Sequence, residues 1–195
     1  DGTPYRAPIL IEDISDRENV YSARTDLAPT RDYTPPFPVD KAVVVRAASF
    51  NELENTMSET ALGVYFIGYG QKEIYDGLPV LSIVTDPDNL FDYESGIYVN
   101  GAAMDEYKKH GMQDGVLADS YVDENGETQY RYMASNAFRN GKEWERESTI
   151  SYFDGEHRYC FTQDVGIRTA GQSTRSNPKK SLNIYGRTIY DENAL

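Results

Sequence analysis

The last third of the chain, residues 148–185, constrains the fold most, because short strand-like runs alternate there with turn residues. These runs are rich in β-branched and aromatic residues, which pack well on a pleated sheet. They occupy residues 148–153, 159–161, 165–168 and 180–185. An Asp-Gly turn follows the first run, and a polar loop containing glycine precedes the last one. The pattern predicts a set of antiparallel strands.

The remainder of the chain also favours β structure. Strands are predicted at residues 8–11, 41–48, 62–68, 78–84 and 96–99. The pair Asn125-Gly126 predicts a hairpin, since Asn-Gly supplies the positive φ values of a tight turn. Residues 51–59 are compatible with a helix, and residues 105–110 have a weakly helical pattern. We therefore predict a fold that is mainly β, or α+β.

Two units are predicted along the chain. Residues 69–77 are polar and bounded by glycines, which is typical of a linker. Before them, short strands separated by turn signals and a Pro-rich link at residues 34–38 favour part of a β-sandwich. We expect a partial β-sandwich over residues 1–70 and an antiparallel-sheet-rich unit over residues 71–195.

Composition excludes several classes of protein. The 195 residues carry a net charge of −13, and the pI is near 4.5. Such a surface repels phosphate, which argues against a nucleic-acid or anionic-membrane partner. No run of about 18 apolar residues occurs, so we expect no membrane span. Cys160 is the only cysteine, which excludes an internal disulfide, and its strand position predicts a small buried hydrophobe.

The charge is distributed unevenly, and one segment is strongly basic. Residues 168–187 hold five Lys or Arg residues and no acidic residue. Removing these five from the 19 basic residues leaves 14 against 32 acidic ones, a net charge of −18 elsewhere. A glycine loop followed by a strand carrying lysine can hold a phosphate through backbone N–H groups and cations. The alternative is a solvated hairpin whose cations pair with surface carboxylates.

Three other features carry two interpretations each. Asp86, Asp88 and Asn89 could supply oxygens to Ca²⁺, but no known spacing completes the ligand set, and an Asx turn capping a short helix is simpler. Trp144 could stack on a sugar, although an aromatic anchor among alternating charges is the preferred interpretation. His110 and His157 lack partners at metal-ligand spacing, so we predict surface or hairpin positions and no metal site.

Three blocks of residues follow one another along the second unit. The first is residues 78–91, followed by the Gly-Ile-Tyr-Val element at 96–99. The second joins residues 141–146 to 151–154, and the third comprises residues 163–168, 171–175 and 178–185. Together these blocks resemble the CotH family, named for a spore-coat protein. In the first unit, residues 1–3, 8–11 and 43–47 are similar to the C-terminal β-sandwich of chitobiase and β-hexosaminidase enzymes, which often precedes CotH regions in secreted bacterial proteins.

The resemblance implies an atypical protein kinase, extracellular or at the cell surface, that uses ATP and Mg²⁺ to phosphorylate secreted or coat proteins. Gly171, Ser173 and Arg175 would lie over the nucleotide phosphates, and Lys180 would hold phosphate oxygens. Phosphoryl transfer needs chiefly positioning and charge neutralisation, and these residue types suit that task.

The same resemblance places the acidic metal-binding and catalytic residues downstream of Leu195. We therefore expect the chain to be an inactive fragment, the N-terminal part of a kinase-like unit preceded by a β-sandwich fragment. The alternative is a non-catalytic extracellular module, binding or structural, with a carbohydrate or protein ligand.

Overall fold

The computed structural model describes residues 2–29, 33–110, 112–113, 116–117, 120–122, 124–130 and 135–193. The strands of the first half are β1 (Val43–Ala47), β2 (Phe50–Asn51), β3 (Thr56–Met57) and β4 (Ala61–Tyr65). Then follow β5 (Val80–Val84), α1 (Pro87–Phe91), α2 (Gly101–His110), β6 (Met112–Gln113), β7 (Val116–Leu117), β8 (Ser120–Val122) and β9 (Thr128–Tyr130). The last strands are β10 (Arg146–Phe153), β11 (Tyr159–Ala170) and β12 (Ser181–Tyr185). The described residues are mainly β, as predicted.

The largest sheet has four antiparallel strands in the order β12-β11-β10-β5. Its central hairpin turns at Asp154, whose carboxylate accepts hydrogen bonds from the backbone N–H groups of Glu156 and Arg158 at 3.0 and 2.9 Å. His157 takes the positive-φ position of this turn, so its predicted hairpin location is confirmed. The strand-like runs predicted in residues 148–185 therefore form three of the four strands of this sheet.

The core lies against one face of this sheet. It is formed by Ile97, Ile150, Val165 and Ile167, with Ile83, Leu90, Trp144 and Leu182 packed around them. Ile97 comes from residues 96–99, and their prediction as a strand is wrong. Their backbone hydrogen-bonds the end of α1 instead, from Ile97 N–H to the Asn89 carbonyl at 3.0 Å. This loop carries its apolar residues onto the sheet without joining it.

The start of α1 confirms the predicted Asx turn. The Asp86 carboxylate accepts a hydrogen bond from Asp88 N–H at 3.0 Å, and Pro87 stands in the first turn. The Asn89 side-chain amide donates to Thr85 Oγ1 at 2.8 Å and to the Glu147 carbonyl at 3.2 Å. Asx side chains at helix starts satisfy N–H groups that have no partner inside the helix. These contacts anchor α1 to the end of β5 and to β10.

α2 packs through Ala103, Met104 and Tyr107, which are buried. It begins at Gly101, four residues before the predicted helix. The positive φ of Gly101 and its closeness to the Asn136 amide leave no room for a side chain, so this position requires glycine. His110 ends this helix, and its side chain lies outside the described part of the structure. The Asn125-Gly126 hairpin is confirmed, since β8 and β9 pair across it. No helix in the described part of the chain combines the length and the apolarity needed to cross a membrane.

The first half of the chain forms smaller sheets. β1 and β4 pair with each other, and β2 pairs with β3. The helix-compatible interpretation of residues 51–59 is wrong, because these residues contribute to the β2–β3 hairpin, where Asn55 takes a positive φ. The strand predicted at residues 8–11 is also wrong: Ile9 and Leu10 are exposed, and no strand in the described part of the chain pairs with them. The β-sandwich interpretation of residues 1–70 stays a prediction.

Residues 69–77, predicted as a linker, contain two short 3₁₀ turns, Tyr69–Gln71 and Glu73–Tyr75. The Asp40 carboxylate accepts hydrogen bonds from Lys72 Nζ and, at 2.6 Å, from the Tyr75 hydroxyl. Both hydrogen bonds lower the pKa of Asp40. The hydrogen bond to Asp40, together with burial, raises the pKa of Tyr75 to about 12. The division of the chain near residue 70 stays a prediction.

Candidate functional site

The loop between β11 and β12 is the segment in which the sequence predicted a phosphate site. Gly171 opens it with a φ of +96°, and a Cβ there would lie 2.1 Å from Thr174 Oγ1, so only glycine fits. Ser173 is exposed and begins a 3₁₀ turn, Ser173–Ser176. The loop leaves the sheet at the end of β11 and returns to β12 directly after Lys180.

Lys180 is buried, with only 9% of the residue exposed. Its ammonium donates hydrogen bonds to the carbonyls of Leu27 and Asn177, the latter at 2.8 Å, and lies 5.1 Å from the centre of the Tyr98 ring. Burial lowers the pKa of Lys180 to about 8, and the charge of Asp26 opposes that change. The site therefore holds a cation that is surrounded by neutral acceptors.

Tyr98 ties the backbone of Lys180 in place. The Tyr98 hydroxyl accepts a hydrogen bond from Lys180 N–H at 2.7 Å and lies 3.3 Å from the Lys180 carbonyl, to which it donates. Burial raises the pKa of Tyr98, so the hydroxyl keeps the proton that it donates. The lysine side chain and its backbone are consequently fixed by separate partners.

Arg175 meets a different part of the chain. Its Nη1 donates to the Phe138 carbonyl at 3.2 Å and to Asn140 Oδ1 at 3.0 Å. Burial lowers the pKa of Arg175, and the neighbouring charge of Arg168 lowers it further. The structure thus gives Lys180 and Arg175 separate sets of partners, although the sequence assigned both to one site.

A cavity of about 370 Å³ lies beside Leu27 and Tyr98, two of the residues that contact the Lys180 ammonium. Residues between 21 and 39 line one part of it, and residues 91, 98, 178 and 179 line the other. The rings of Tyr21, Tyr33, Phe91 and Tyr98 line it, together with Leu27 and Lys179 among others. Tyr21 stacks on Phe91 with ring centres 4.9 Å apart, and Lys179 Nζ lies 5.5 Å from the Tyr33 ring centre. Its walls are therefore mostly apolar, with four aromatic rings and a cation at the edge.

Sequence reasoning missed the contribution of residues 21–39 to this cavity. The available signal was a group of aromatic and proline residues, Tyr21, Tyr33, Pro35 and Phe37, in a segment without strand periodicity. Three of the four line the cavity, whereas Phe37 does not. Only the fold shows where such rings lie.

The alternative interpretation of residues 168–187 was that their cations pair with surface carboxylates, and the structure supports it for only some of them. Arg187 pairs with Glu145 through two hydrogen bonds of 2.9 and 2.8 Å, and these lower the pKa of the Glu145 carboxyl. Arg168 instead donates to the Gly141 carbonyl at 2.8 Å and to the Tyr185 hydroxyl at 2.7 Å. Pairing with a carboxylate therefore describes Arg187 but not Arg168.

Two further sequence predictions concern single side chains. Trp144 is an anchor, as expected: it packs against the core, and the guanidinium carbons of Arg139 and Arg146 lie 5.5 and 5.0 Å from its ring centre. Cys160 was predicted to be buried, and that prediction is wrong because the side chain is exposed. β12 pairs only with residues 166–170 of β11, so the strand segment containing Cys160 lacks a neighbour on that edge.

The described residues do not offer a Mg²⁺ site. No group of three or more His, Cys, Asp or Glu side chains within the described ranges has an arrangement suited to a metal ion. A second cavity, of about 330 Å³, is lined by the acidic residues Asp86, Glu147 and Asp164. Arg46 lines it too, and the Asp164 carboxylate already accepts a hydrogen bond from Thr149 Oγ1 at 2.6 Å. The residues present therefore do not fit the metal that the resemblance implied.

Fold and site together define a mainly β protein in which a buried lysine adjoins an aromatic cavity. Comparison of the chain with protein-family models, with curated proteins and with solved structures finds no match.

Proposed function

We propose that this chain is the nucleotide-binding part of a secreted, CotH-like protein kinase. One observation carries the proposal: Lys180, which directly precedes β12, holds a buried ammonium against Leu27 and Tyr98, two residues that line an apolar cavity with four aromatic rings. Nucleotides combine a flat apolar base with phosphate oxygens, and these two parts need different surroundings. The cavity offers the first kind of surrounding and the lysine offers the second.

The base would lie among the rings. A cavity of about 370 Å³ is within the usual range for small-molecule sites, roughly 300–1,000 Å³. Tyr21 and Phe91 are already stacked on each other, and aromatic rings offer a base the offset stacking that they use between themselves. In this proposal the purine stacks on one of these rings.

The phosphates would meet Lys180 and Lys179. The Lys180 ammonium now donates to two neutral carbonyls, and a phosphate oxygen is a stronger acceptor because the hydrogen bond to it is charge-assisted. In this proposal a phosphate oxygen replaces the Leu27 carbonyl. Lys179, whose ammonium lies over Tyr33 at the edge of the cavity, would neutralise a second phosphate.

The other residues that the resemblance assigned to the phosphates have no such support. Like Lys180, the residues Gly171, Ser173 and Arg175 do not line the cavity. Lys180 contacts Leu27 and Tyr98, which do line it, whereas Arg175 bonds Phe138 and Asn140, which do not. Contact of Gly171, Ser173 and Arg175 with nucleotide stays a prediction. Transfer of phosphate to secreted or coat proteins, extracellular location and inactivity of this chain alone also stay predictions. No step of phosphoryl transfer is assigned to the described residues.

The proposal is tested by calorimetric titration of the 195-residue chain with ATP, adenosine and inorganic tripolyphosphate. We expect ATP to bind more tightly than either part, because base and phosphates have separate contacts. Lys180→Met should weaken ATP binding at least about tenfold, the equivalent of one charge-assisted hydrogen bond. Lys108→Met, an exposed substitution on α2, is the matched control and should leave the affinity unchanged.

Two results would contradict the proposal. The first is a wild-type chain that binds no ATP at millimolar concentration, and the second is equal weakening by Lys180→Met and Lys108→Met. Circular dichroism establishes that each variant is folded. If Lys180→Met does not fold, Lys179→Met provides the second measurement, since Lys179 is exposed and lies at the cavity edge.

A non-catalytic extracellular module remains the alternative prediction. Trp144 is not its sugar-binding platform, because its indole is engaged by the core and by two guanidinium groups. A carbohydrate or protein ligand of another surface is unaffected by that observation and stays a prediction.

A further inference from the structure

Arg168 and Arg175 are two cations whose partners are all neutral. Arg168 donates to the Gly141 carbonyl and to the Tyr185 hydroxyl, and Arg175 donates to the Phe138 carbonyl and the Asn140 amide oxygen. Among the described residues, neither forms an ion pair with a carboxylate. In a chain of net charge −13, carboxylates are plentiful, so this lack of pairing is informative.

The carboxylate beside them is already used. Glu145 lies near enough to Arg168 for that charge to lower its pKa, but both of its oxygens accept hydrogen bonds from Arg187. The Arg168 and Arg187 guanidinium groups both lie over the Tyr185 ring, at 5.2 and 5.0 Å from its centre. Two guanidinium groups therefore share one carboxylate, which leaves a charge of +1 there before the neighbouring Arg175 is counted.

Each of the two arginines also has an unused donor. The Nε atoms of Arg168 and Arg175 are buried and have no hydrogen-bond partner among the residues that the structure describes. More than about 90% of buried polar groups in native structures have a partner, so two such donors in one cluster require an explanation. An oxyanion with several acceptor oxygens satisfies donors of this kind, and arginine matches it through paired N–H groups.

We infer that Arg168 and Arg175 form a binding site for a tetrahedral oxyanion of the phosphate or sulfate class. The anion neutralises two guanidinium groups that repel each other and accepts hydrogen bonds from their unused N–H groups. The site uses the Asn140 and Gly141 loop as its second wall, because both arginines already hold this loop. It is separate from Lys180 in its contacts and does not depend on the proposed nucleotide site.

The competing account is structural: the two arginines would only cap the carbonyls of residues 138–141. It predicts destabilised variants but no specific effect of an added anion. The two accounts therefore differ in ligand dependence and not in stability.

The test is a titration of the wild-type chain with inorganic phosphate and with sulfate, followed by calorimetry and by thermal unfolding. Sodium chloride at equal ionic strength controls for screening. We expect phosphate to bind and to raise the unfolding temperature beyond the chloride control. Arg168→Gln and Arg175→Gln should each weaken phosphate binding about tenfold, whereas Arg158→Gln, an exposed arginine of the β10–β11 turn, should not change it.

The inference is overturned if phosphate stabilises the wild type no more than chloride does, or if both Gln variants keep wild-type phosphate affinity. Arg175→Lys keeps the charge and loses the planar donor pair, so it provides a folded variant if Arg175→Gln does not fold. It should bind phosphate more weakly than the wild type, and equal affinity would also overturn the inference.

The variant Lys180→Met shows whether inorganic phosphate binds at the two arginines or at Lys180. If the site is separate, this variant loses ATP affinity but keeps its affinity for inorganic phosphate. Parallel loss of both would overturn the separate site and place phosphate at Lys180. Conversely, a wild type that binds phosphate through Arg168 and Arg175 but binds no ATP refutes the nucleotide proposal alone.

Discussion

The four-stranded sheet and the β1–β4 ladder are built from similar sequences and differ in what covers them. Both are antiparallel and rich in β-branched residues. Ile167 in the sheet is fully buried, because a loop carrying Ile97 and the helix α1 pack near it. Val44 in the ladder is 43% exposed. The pattern of a strand therefore predicts its pairing, whereas its burial depends on elements far away in the chain.

The region around the ladder is held instead by polar contacts between side chains and backbone. Lys41 Nζ donates to the carbonyls of Ser15, Arg17 and Val39 at 3.2, 2.7 and 2.9 Å. The Asn19 amide spans the same segment, donating to the Phe37 carbonyl and accepting from Val39 N–H. Single polar bonds of this kind contribute about 1 kcal/mol each, so this region should open more easily than the sheet.

Core truncation should give the largest effect and the clearest separation of the two regions. Ile167→Ala removes a fully buried side chain, and we expect the free energy of unfolding to fall by about 2–5 kcal/mol. Val44→Ala, the matched control in the ladder, should change it by less than about 1 kcal/mol because the side chain is partly exposed. Urea unfolding followed by circular dichroism measures both. Equal losses in the two variants would contradict the comparison.

The pH dependence of Lys180 tests the contact between the two regions, since its ammonium bonds the Leu27 carbonyl. The folded state lowers the pKa of Lys180 from 10.5 to about 8. Above pH 8 the unfolded chain therefore binds more protons at this lysine than the folded chain. Stability must then rise with pH, and we expect a gain of roughly 1–2 kcal/mol between pH 8 and 9.5.

The control for this measurement is Lys180→Met, which has no group to titrate and should not show the gain. The pH range ends at about 9.5 because tyrosines begin to titrate near about pH 10. The fold raises the pKa of Tyr98, so its ionisation above about pH 10 would lower the free energy of unfolding and obscure the effect of Lys180. Denaturant unfolding at several pH values measures the difference between the two chains. A wild-type curve parallel to that of the variant would show that Lys180 is not buried as a cation.

Removal of the Lys41 contacts should give the smallest and most local effect. Lys41→Met takes away a donor to three backbone carbonyls, and we expect a loss of roughly 1 kcal/mol, confined to residues 15–41. Amide hydrogen exchange should accelerate there and remain unchanged in β10 and β11. Lys108→Met is the control, since Lys108 lies exposed on α2. Faster exchange in the core sheet would mean that the two regions open together.

Features that depend on neighbours in sequence could be predicted. The Asp86 cap and the Asn125-Gly126 hairpin were correct because each depends on backbone geometry within a few residues. Residues 96–99 and Cys160 were predicted wrongly because strand pairing and burial require a partner from elsewhere. Their local composition suits a strand or a core, but within the described ranges no strand pairs with residues 96–99, and the Cys160 side chain is exposed.

The mainly β composition, the glycine at the start of the β11–β12 loop and the concentration of cations in residues 168–187 all follow from local sequence. The partners of those cations follow from the fold. Lys180 is directed to the Leu27 carbonyl, 153 residues away, whereas Arg175 reaches residues 138–140. The physical reason is that a long charged side chain selects its acceptor among groups that the fold brings together, and local pattern does not specify those groups.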